Sequence, residues 1–81
     1  MRIRISAFAR IREIIGAPEL ERSAPAGATA GEVWQRLTAE FPRLGELAAS
    51  TRLVRNGSFV AGESELNDGD ELALLPPFGG G

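Results

Sequence analysis

Residues 29–41 are expected to form one amphipathic helix whose start and end are both specified by the sequence. Thr29 and Glu32 fit a capping box, in which each side chain accepts a hydrogen bond from the backbone N–H of the other residue. Pro42 ends the helix, because the residue before a proline avoids helical backbone angles. Its apolar stripe needs a partner layer, which is a sheet in a chain with only one such helix. The stripe consists of Ala30, Val33, Trp34, Leu37 and Phe41.

Four or five strand-like segments surround this helix. Residues 2–7 alternate polar and apolar side chains, which is typical of a strand with one buried face. Residues 19–24 form a weaker strand, and residues 71–75 form the last one. Residues 52–60 read as a hairpin, because Asn56-Gly57 suits a type I′ turn that needs two positive φ angles. These elements predict a sheet with one main helix across one face.

A short helix is expected directly after the first strand. Phe8, Ile11, Ile14 and Ile15 recur at helical spacing, and Gly16 suits the C-terminal cap. This pattern counts Phe8 among the apolar residues of the short helix.

The composition excludes several classes of function. All nine basic residues are arginines and the net charge is −2, so no basic face for nucleic acid is indicated. Without His, Cys or Lys, the chain lacks the commonest general base, the thiol and amine nucleophiles, and His–Cys metal sites. No apolar run approaches the ~20 residues that span a bilayer. We therefore expect a cytoplasmic domain with no catalytic residues of its own, no nucleic-acid partner and no membrane association.

The end of the sequence is expected to add nothing to the fold. Pro76 and Pro77 cannot donate ladder hydrogen bonds, so the sheet must stop after Leu75. The glycines at 79–81 lose more conformational entropy on ordering than any other residue type would. A backbone without side chains can thread a narrow channel and present its terminal carboxylate to another protein. The alternative is an ordinary frayed terminus.

Both ends of the chain resemble the small subunit of molybdopterin synthase, a family of ubiquitin-like β-grasp sulfur carriers. Residues 8–16 are similar to that family's passage from first strand to first helix, and residues 68–77 are similar to its last strand and double proline. The family also ends in Gly-Gly shortly after the prolines. Gly79 departs from the pattern, since a small side chain such as Ser or Ala is expected there.

The resemblance implies a fold. We expect an α+β, ubiquitin-like β-grasp with a mixed sheet of four to five strands and one main helix packed across one face. Residues 1–77 would form the domain and residues 78–81 a flexible glycine tail. The first and last strands would pair, as they do in the family. Val33, Trp34, Leu37 and Phe41 are then expected to pack against Ile3, Ile5, Leu72 and Leu74.

The resemblance also implies chemistry that partners perform on this chain. A ubiquitin-activating-like enzyme would adenylate the Gly81 carboxylate with ATP and Mg²⁺, and a sulfur donor protein would convert it to a thiocarboxylate. The large subunit of molybdopterin synthase would take Gly80 and Gly81 into its active site and use the sulfur for the dithiolene of molybdopterin. No cofactor is expected on the chain itself.

The partner surface is expected on the open sheet face and at the base of the tail. Large apolar residues outside the helix stripe are candidates, because exposed apolar patches and aromatic anchors often mark interfaces. For Phe59 the alternative is that it completes the core. The expected contact residues are Phe59, Leu75, Pro76, Pro77, Phe78 and Gly79.

Three other functions remain open from the sequence. A thiamine-type sulfur carrier shares the fold and the Gly-Gly end, but it is usually shorter and lacks the double proline. A ubiquitin-like protein modifier would use the same activated carboxylate against lysine amines of other proteins. A plain interaction domain would treat the glycine tail as dispensable.

Overall fold

The computed structural model describes residues 1–76 of the chain. This part contains five strands and two α-helices. A 3₁₀ helix, Pro42–Leu47, follows the longer α-helix. The strands are β1 (Arg2–Ala7), β2 (Glu19–Ser23), β3 (Arg52–Arg55), β4 (Ser58–Phe59) and β5 (Glu71–Leu75), and the helices are α1 (Ala9–Ile15) and α2 (Ala30–Glu40).

The first and last strands are parallel neighbours at the centre of the sheet. The strand order is β2-β1-β5-β3-β4, and Ile5 of β1 lies opposite Leu72 of β5. The other three pairings are antiparallel, so the sheet is mixed. This topology, with α2 across one face, confirms the expected ubiquitin-like β-grasp.

The capping box at the start of α2 forms as expected. The Thr29 hydroxyl accepts from the backbone N–H of Glu32 at 3.2 Å, and the Glu32 carboxylate accepts from the N–H of Thr29 at 2.8 Å. The loop after β4 also contacts the start of α2, because Gly31 donates its N–H to the carbonyl of Gly62 at 2.8 Å. The first turn of α2 therefore has its donors occupied within the domain.

The core lies between α2 and the two central strands. Val33, Trp34 and Leu37 are buried, while Phe41 at the end of α2 is half-buried. The burial predicted for the facing strand residues is confirmed, since all four are fully enclosed: Ile3, Ile5, Leu72 and Leu74. Trp34 is thus a core residue.

The assignment of Phe8 to the apolar face of the short helix is wrong. Phe8 has extended backbone angles, precedes α1, and is 47% exposed, whereas Ile11 is fully buried. Ala9 has a φ of 49°, which turns the chain sharply between β1 and α1. That turn leaves Phe8 as a continuation of the β1 pleat, so its side chain stays on the sheet face opposite the core.

Candidate functional site: the open sheet face and the base of the tail

The strand that leads to the tail lies at the centre of the sheet. β5 lies between β1 and β3, and its last residue, Leu75, is opposite Arg52 of β3. Pro76 follows and is half-buried. The remaining predicted site residues, Pro77, Phe78, Gly79, Gly80 and Gly81, lie outside the described residues, so their roles stay predictions.

An apolar patch lies beside the base of the tail, on the sheet face that α2 does not cover. Side chains alternate along a strand, so the buried Leu72 and Leu74 place Ala73 and Leu75 on the opposite face. Neighbouring strands extend this set, because Val54 lies opposite Ala73 and Phe59 lies opposite Val54. We call the resulting set the open-face patch: Phe8, Val54, Phe59, Ala73 and Leu75.

Phe59 is the most exposed large apolar residue in the described part of the chain. Its side chain is 63% exposed, which rules out the alternative that it completes the core. The Arg52 guanidinium lies 5.6 Å from the ring centroid, within the range of a cation–π contact. The exposed ring and its adjacent arginine form a patch suited to a partner surface that combines an apolar group with an acidic one.

Phe8 is the patch residue that the sequence interpretation missed. It follows Ala7, which lies opposite Leu74, so Phe8 and Leu75 extend the same parallel pair by one step. β1, which Phe8 continues, and β4, which carries Phe59, are three strands apart in the sheet. Because neighbouring strands lie ≈ 4.7–4.9 Å apart, the two strands are separated by about 14 Å. The signal was present in the alternation of residues 2–7, which continues by one residue to Phe8.

The other half of this sheet face is charged. Arg2 and Glu21 approach to 3.5 Å on neighbouring strands, with both side chains exposed. Nearer the patch, the Ser6 hydroxyl donates to the Glu71 carboxylate at 3.1 Å. The apolar residues are therefore confined to the part of this face around the end of β5, the last described strand.

A buried carboxylate fixes the start of the strand that leads to the tail. Asp70 accepts hydrogen bonds from the backbone N–H of Asn67 at 2.7 Å, from the Asn56 amide at 2.9 Å and from the Arg55 guanidinium at 2.7 Å. The Asn67 bond is the largest influence lowering the pKa of Asp70, and the bonds from Asn56 and Arg55 lower it further, against the opposing effect of burial. Asp70 is thus an ionised structural anchor directly before β5.

Residues 1–76 contain no cluster of three potential metal-ligating side chains. In the same residues, neither α-helix is both long and apolar enough to cross a membrane. What this region does provide is the end of a central strand and an apolar surface next to it, in which Phe8 and Phe59 are exposed.

Comparison with known proteins identifies the family. The ThiS family matches residues 5–81. The molybdopterin synthase sulfur carrier subunit of Arabidopsis thaliana is 34% identical over 79 residues, covering 98% of this chain and 82% of that protein. The corresponding subunit of Chlamydomonas reinhardtii is 30% identical, with both chains covered completely.

A solved structure agrees with this assignment. The crystal structure of SAMP1 from Haloferax volcanii aligns with a TM-score of 0.85 at 30% identity, covering 100% of both chains. A match that extends over nearly the whole chain in both sequence and structure establishes common ancestry rather than a shared motif. The chain is therefore a member of the ThiS family, with the ubiquitin-like β-grasp fold and with sulfur carrier subunits of molybdopterin synthase among its relatives.

Proposed function

We propose that this chain is the sulfur carrier of a molybdopterin synthase, with Gly81 as the residue that carries the sulfur. The observation behind this proposal is the near-complete similarity to molybdopterin synthase sulfur carrier subunits. The family match also runs through residue 81, so it includes the glycine tail. The coarser role of sulfur carrier is supported by family and relatives alike.

The geometry of the described residues suits a carrier whose tail is used by other proteins. The tail starts beside the open-face patch, so a partner that packs on the patch lies next to the tail. The five residues after Pro76 can extend at most roughly 18 Å, since an extended chain spans about 3.3–3.6 Å per residue. We infer that a partner active site lies within that distance of the end of β5.

The chemistry requires an activated terminus, because a carboxylate is ionised at neutral pH and is a poor electrophile. A carboxylate oxygen of Gly81 attacks the α-phosphorus of ATP, which forms an acyl adenylate and releases pyrophosphate. Sulfide sulfur then attacks the acyl carbon, and AMP leaves. The product is a thiocarboxylate whose sulfur the large synthase subunit transfers to the dithiolene of molybdopterin.

Reconstitution tests this proposal. The chain is mixed with a ubiquitin-activating-like enzyme, Mg²⁺-ATP and sulfide, and its intact mass is measured accurately. We expect the mass change that corresponds to one oxygen replaced by sulfur, located on Gly81 by fragmentation. Full conversion of a chain that lacks Gly81 would contradict the proposal.

Two substitutions in the tail provide matched controls. Gly81→Val should abolish conversion, because its side chain meets the wall of a channel shaped for glycine and restricts φ. Gly79→Ser should convert nearly normally, since the family pattern has a small side chain there. Loss of conversion in both variants would point to general damage to the tail.

A second candidate function is protein modification, which the similarity to SAMP1, a small archaeal modifier protein, favours. The same acyl adenylate would then be attacked by lysine amines of other proteins. This chain has no lysine, so it could not form lysine-linked chains of itself. Immunoblots of denatured lysates distinguish the two functions, because only a modifier gives larger conjugates that disappear when Gly81 is deleted.

A further inference from the structure

The register of β2 with β1 determines which backbone groups of β2 face outward at the edge of the sheet. Met1 and Ala24 exchange both of their hydrogen bonds, each 2.8 Å long. Bonded and non-bonded pairs alternate along an antiparallel ladder. The N–H and C=O groups of Glu19, Glu21 and Ser23 therefore point away from β1. Among residues 1–76, β2 has no other strand beside it.

A groove of about 220 Å³ runs along this edge, between β2 and α2. Its floor is apolar and includes Ile3, Val33 and Leu37, all of them buried. Its rim is charged, with Arg36 and Glu40 contributed by α2. The groove therefore offers space for an apolar side chain directly beside the unpaired backbone of β2.

Arg22 links the edge to the helix. Its Nε donates to the Glu40 carboxylate at 2.9 Å, so the side chain crosses the groove from β2 to α2. Its Nη1 donates to the carbonyl of Glu21 at 2.8 Å, which occupies one of the outward-facing acceptors of the edge. Both contacts are made by exposed side chains, so an incoming strand can displace them at low cost.

We propose that the β2 edge and this groove bind an extended peptide segment of a partner protein. Backbone hydrogen bonds would add the segment to the sheet, and an alternating pattern would set its specificity. Basic side chains would face Glu19 and Glu21 on the open side of the sheet, where they would compete with the exposed Arg2 side chain for Glu21. Apolar side chains would enter the groove. A second copy of this chain fits poorly, because pairing two β2 strands over their full length would place Glu21 opposite Glu21.

This site is separate from the surface proposed for sulfur transfer. β2 is at one edge of the sheet, whereas β4, which carries Phe59, is at the other. The groove is also on the α2 side of the sheet, opposite the open-face patch. A bound segment at β2 would therefore leave the patch and the tail free for another partner, and its test does not depend on the proposed function.

An NMR titration of the full chain tests this proposal, with the chain labelled at backbone amides and methyl groups. The probe is a capped peptide, Lys-Val-Lys-Val-Lys, and the control peptide has Glu in place of each Lys. We expect the Lys peptide to shift the amides of Glu19, Glu21 and Ser23 and the methyls of Val33 and Leu37. The control peptide should leave them unchanged at the same concentration.

A charge reversal in the chain completes the test. Glu21→Lys should weaken binding of the Lys peptide by about threefold to tenfold, as expected when an exposed attraction becomes a repulsion. The same variant should bind the Glu peptide more tightly. If Glu21→Lys does not fold, Glu19→Lys serves the same purpose. Unshifted β2 amides, equal binding of both peptides, or shifts confined to the open-face patch would each overturn the proposal.

Discussion

The guanidinium of Arg55 lies 2.7 Å from the carboxylate of Asp70, measured from Nε to Oδ2. This contact joins the end of β3 to the residue that precedes β5. Asn56 reinforces it, because its side-chain oxygen accepts from the backbone N–H of Glu71 at 2.9 Å. The turn of the hairpin thereby fixes the start of the strand that ends at the tail.

Asp70→Asn should lower the free energy of unfolding by about 1–3 kcal/mol at neutral pH. Asparagine has one acceptor oxygen and no charge, so it cannot accept all three bonds from Asn67, Asn56 and Arg55, and a buried partner is left unsatisfied. Urea denaturation of both proteins measures the difference. An unchanged free energy of unfolding would show that the network contributes nothing to stability.

The same carboxylate should make stability depend on pH in the acidic range. The folded-state pKa of Asp70 is lowered, so its contribution is fully present above the unfolded-state pKa of about 3.9 and is lost as the pH falls through the folded-state value. The wild-type chain should therefore lose more stability than Asp70→Asn on acidification below about pH 4. Parallel pH profiles of the two proteins would contradict this assignment.

Leu37→Ala should destabilise the domain by about 2–5 kcal/mol, since removing a buried leucine side chain leaves a cavity. Leu37 is 1% exposed and faces the sheet from the middle of α2. Gln35→Ala, on the exposed side of the same helix, is the matched control and should stay within about 0.5 kcal/mol. A loss for Leu37→Ala below about 0.5 kcal/mol, no larger than that of the control, would show that Leu37 does not belong to the core.

Gly31→Ala should destabilise the domain, by about 1–3 kcal/mol for an overpacked site. A Cβ at Gly31 would lie 3.0 Å from the carbonyl oxygen of Gly62, where backbone from the 60–67 loop packs on α2. Gly45→Ala is the control, because its Cβ would meet nothing within 4 Å. Equal thermal midpoints for the two variants would mean that the Gly31–Gly62 contact is readily relieved.

Phe59→Ser should weaken binding to the large synthase subunit by about fivefold or more, as the loss of an aromatic anchor does. Its stability should stay within about 0.5 kcal/mol, because the ring is exposed. Phe8→Ser should behave in the same way, and Ser58→Ala is the neutral neighbour. Calorimetric titration with the large subunit measures the affinities; unchanged binding in both phenylalanine variants would remove the open-face patch from the interface.

The main elements of the fold could be predicted because their signals are local. The capping box at Thr29, the two positive φ angles at Asn56 and Gly57, and the alternation along β1 each follow from neighbouring residues. The pairing of β1 with β5 joins the two ends of the chain, and it came from the family resemblance instead of from residue patterns.

The candidate site was less predictable, because it depends on contacts between distant segments. Phe8 fitted a helical period equally well, and only the turn at Ala9 leaves it on the open face. The role of Asp70 could not be predicted from the acidic segment in which it lies. Its partners Arg55 and Asn56 belong to the β3–β4 hairpin, which is distant in sequence. The groove beside β2 could not be predicted either, because it depends on the relative position of β2 and α2, which no single stretch of sequence specifies.

The most direct test of the proposed sulfur carrier role is the accurate intact mass of the chain recovered from its own cells. The large synthase subunit is depleted in those cells so that the thiocarboxylate form of the carrier accumulates. We expect a species in which one oxygen is replaced by sulfur, with fragmentation locating the change at Gly81. Oxidation is distinguished by accurate mass and by its position, because the chain has a single methionine, at residue 1. Recovery of only the free carboxylate at Gly81 would contradict the role.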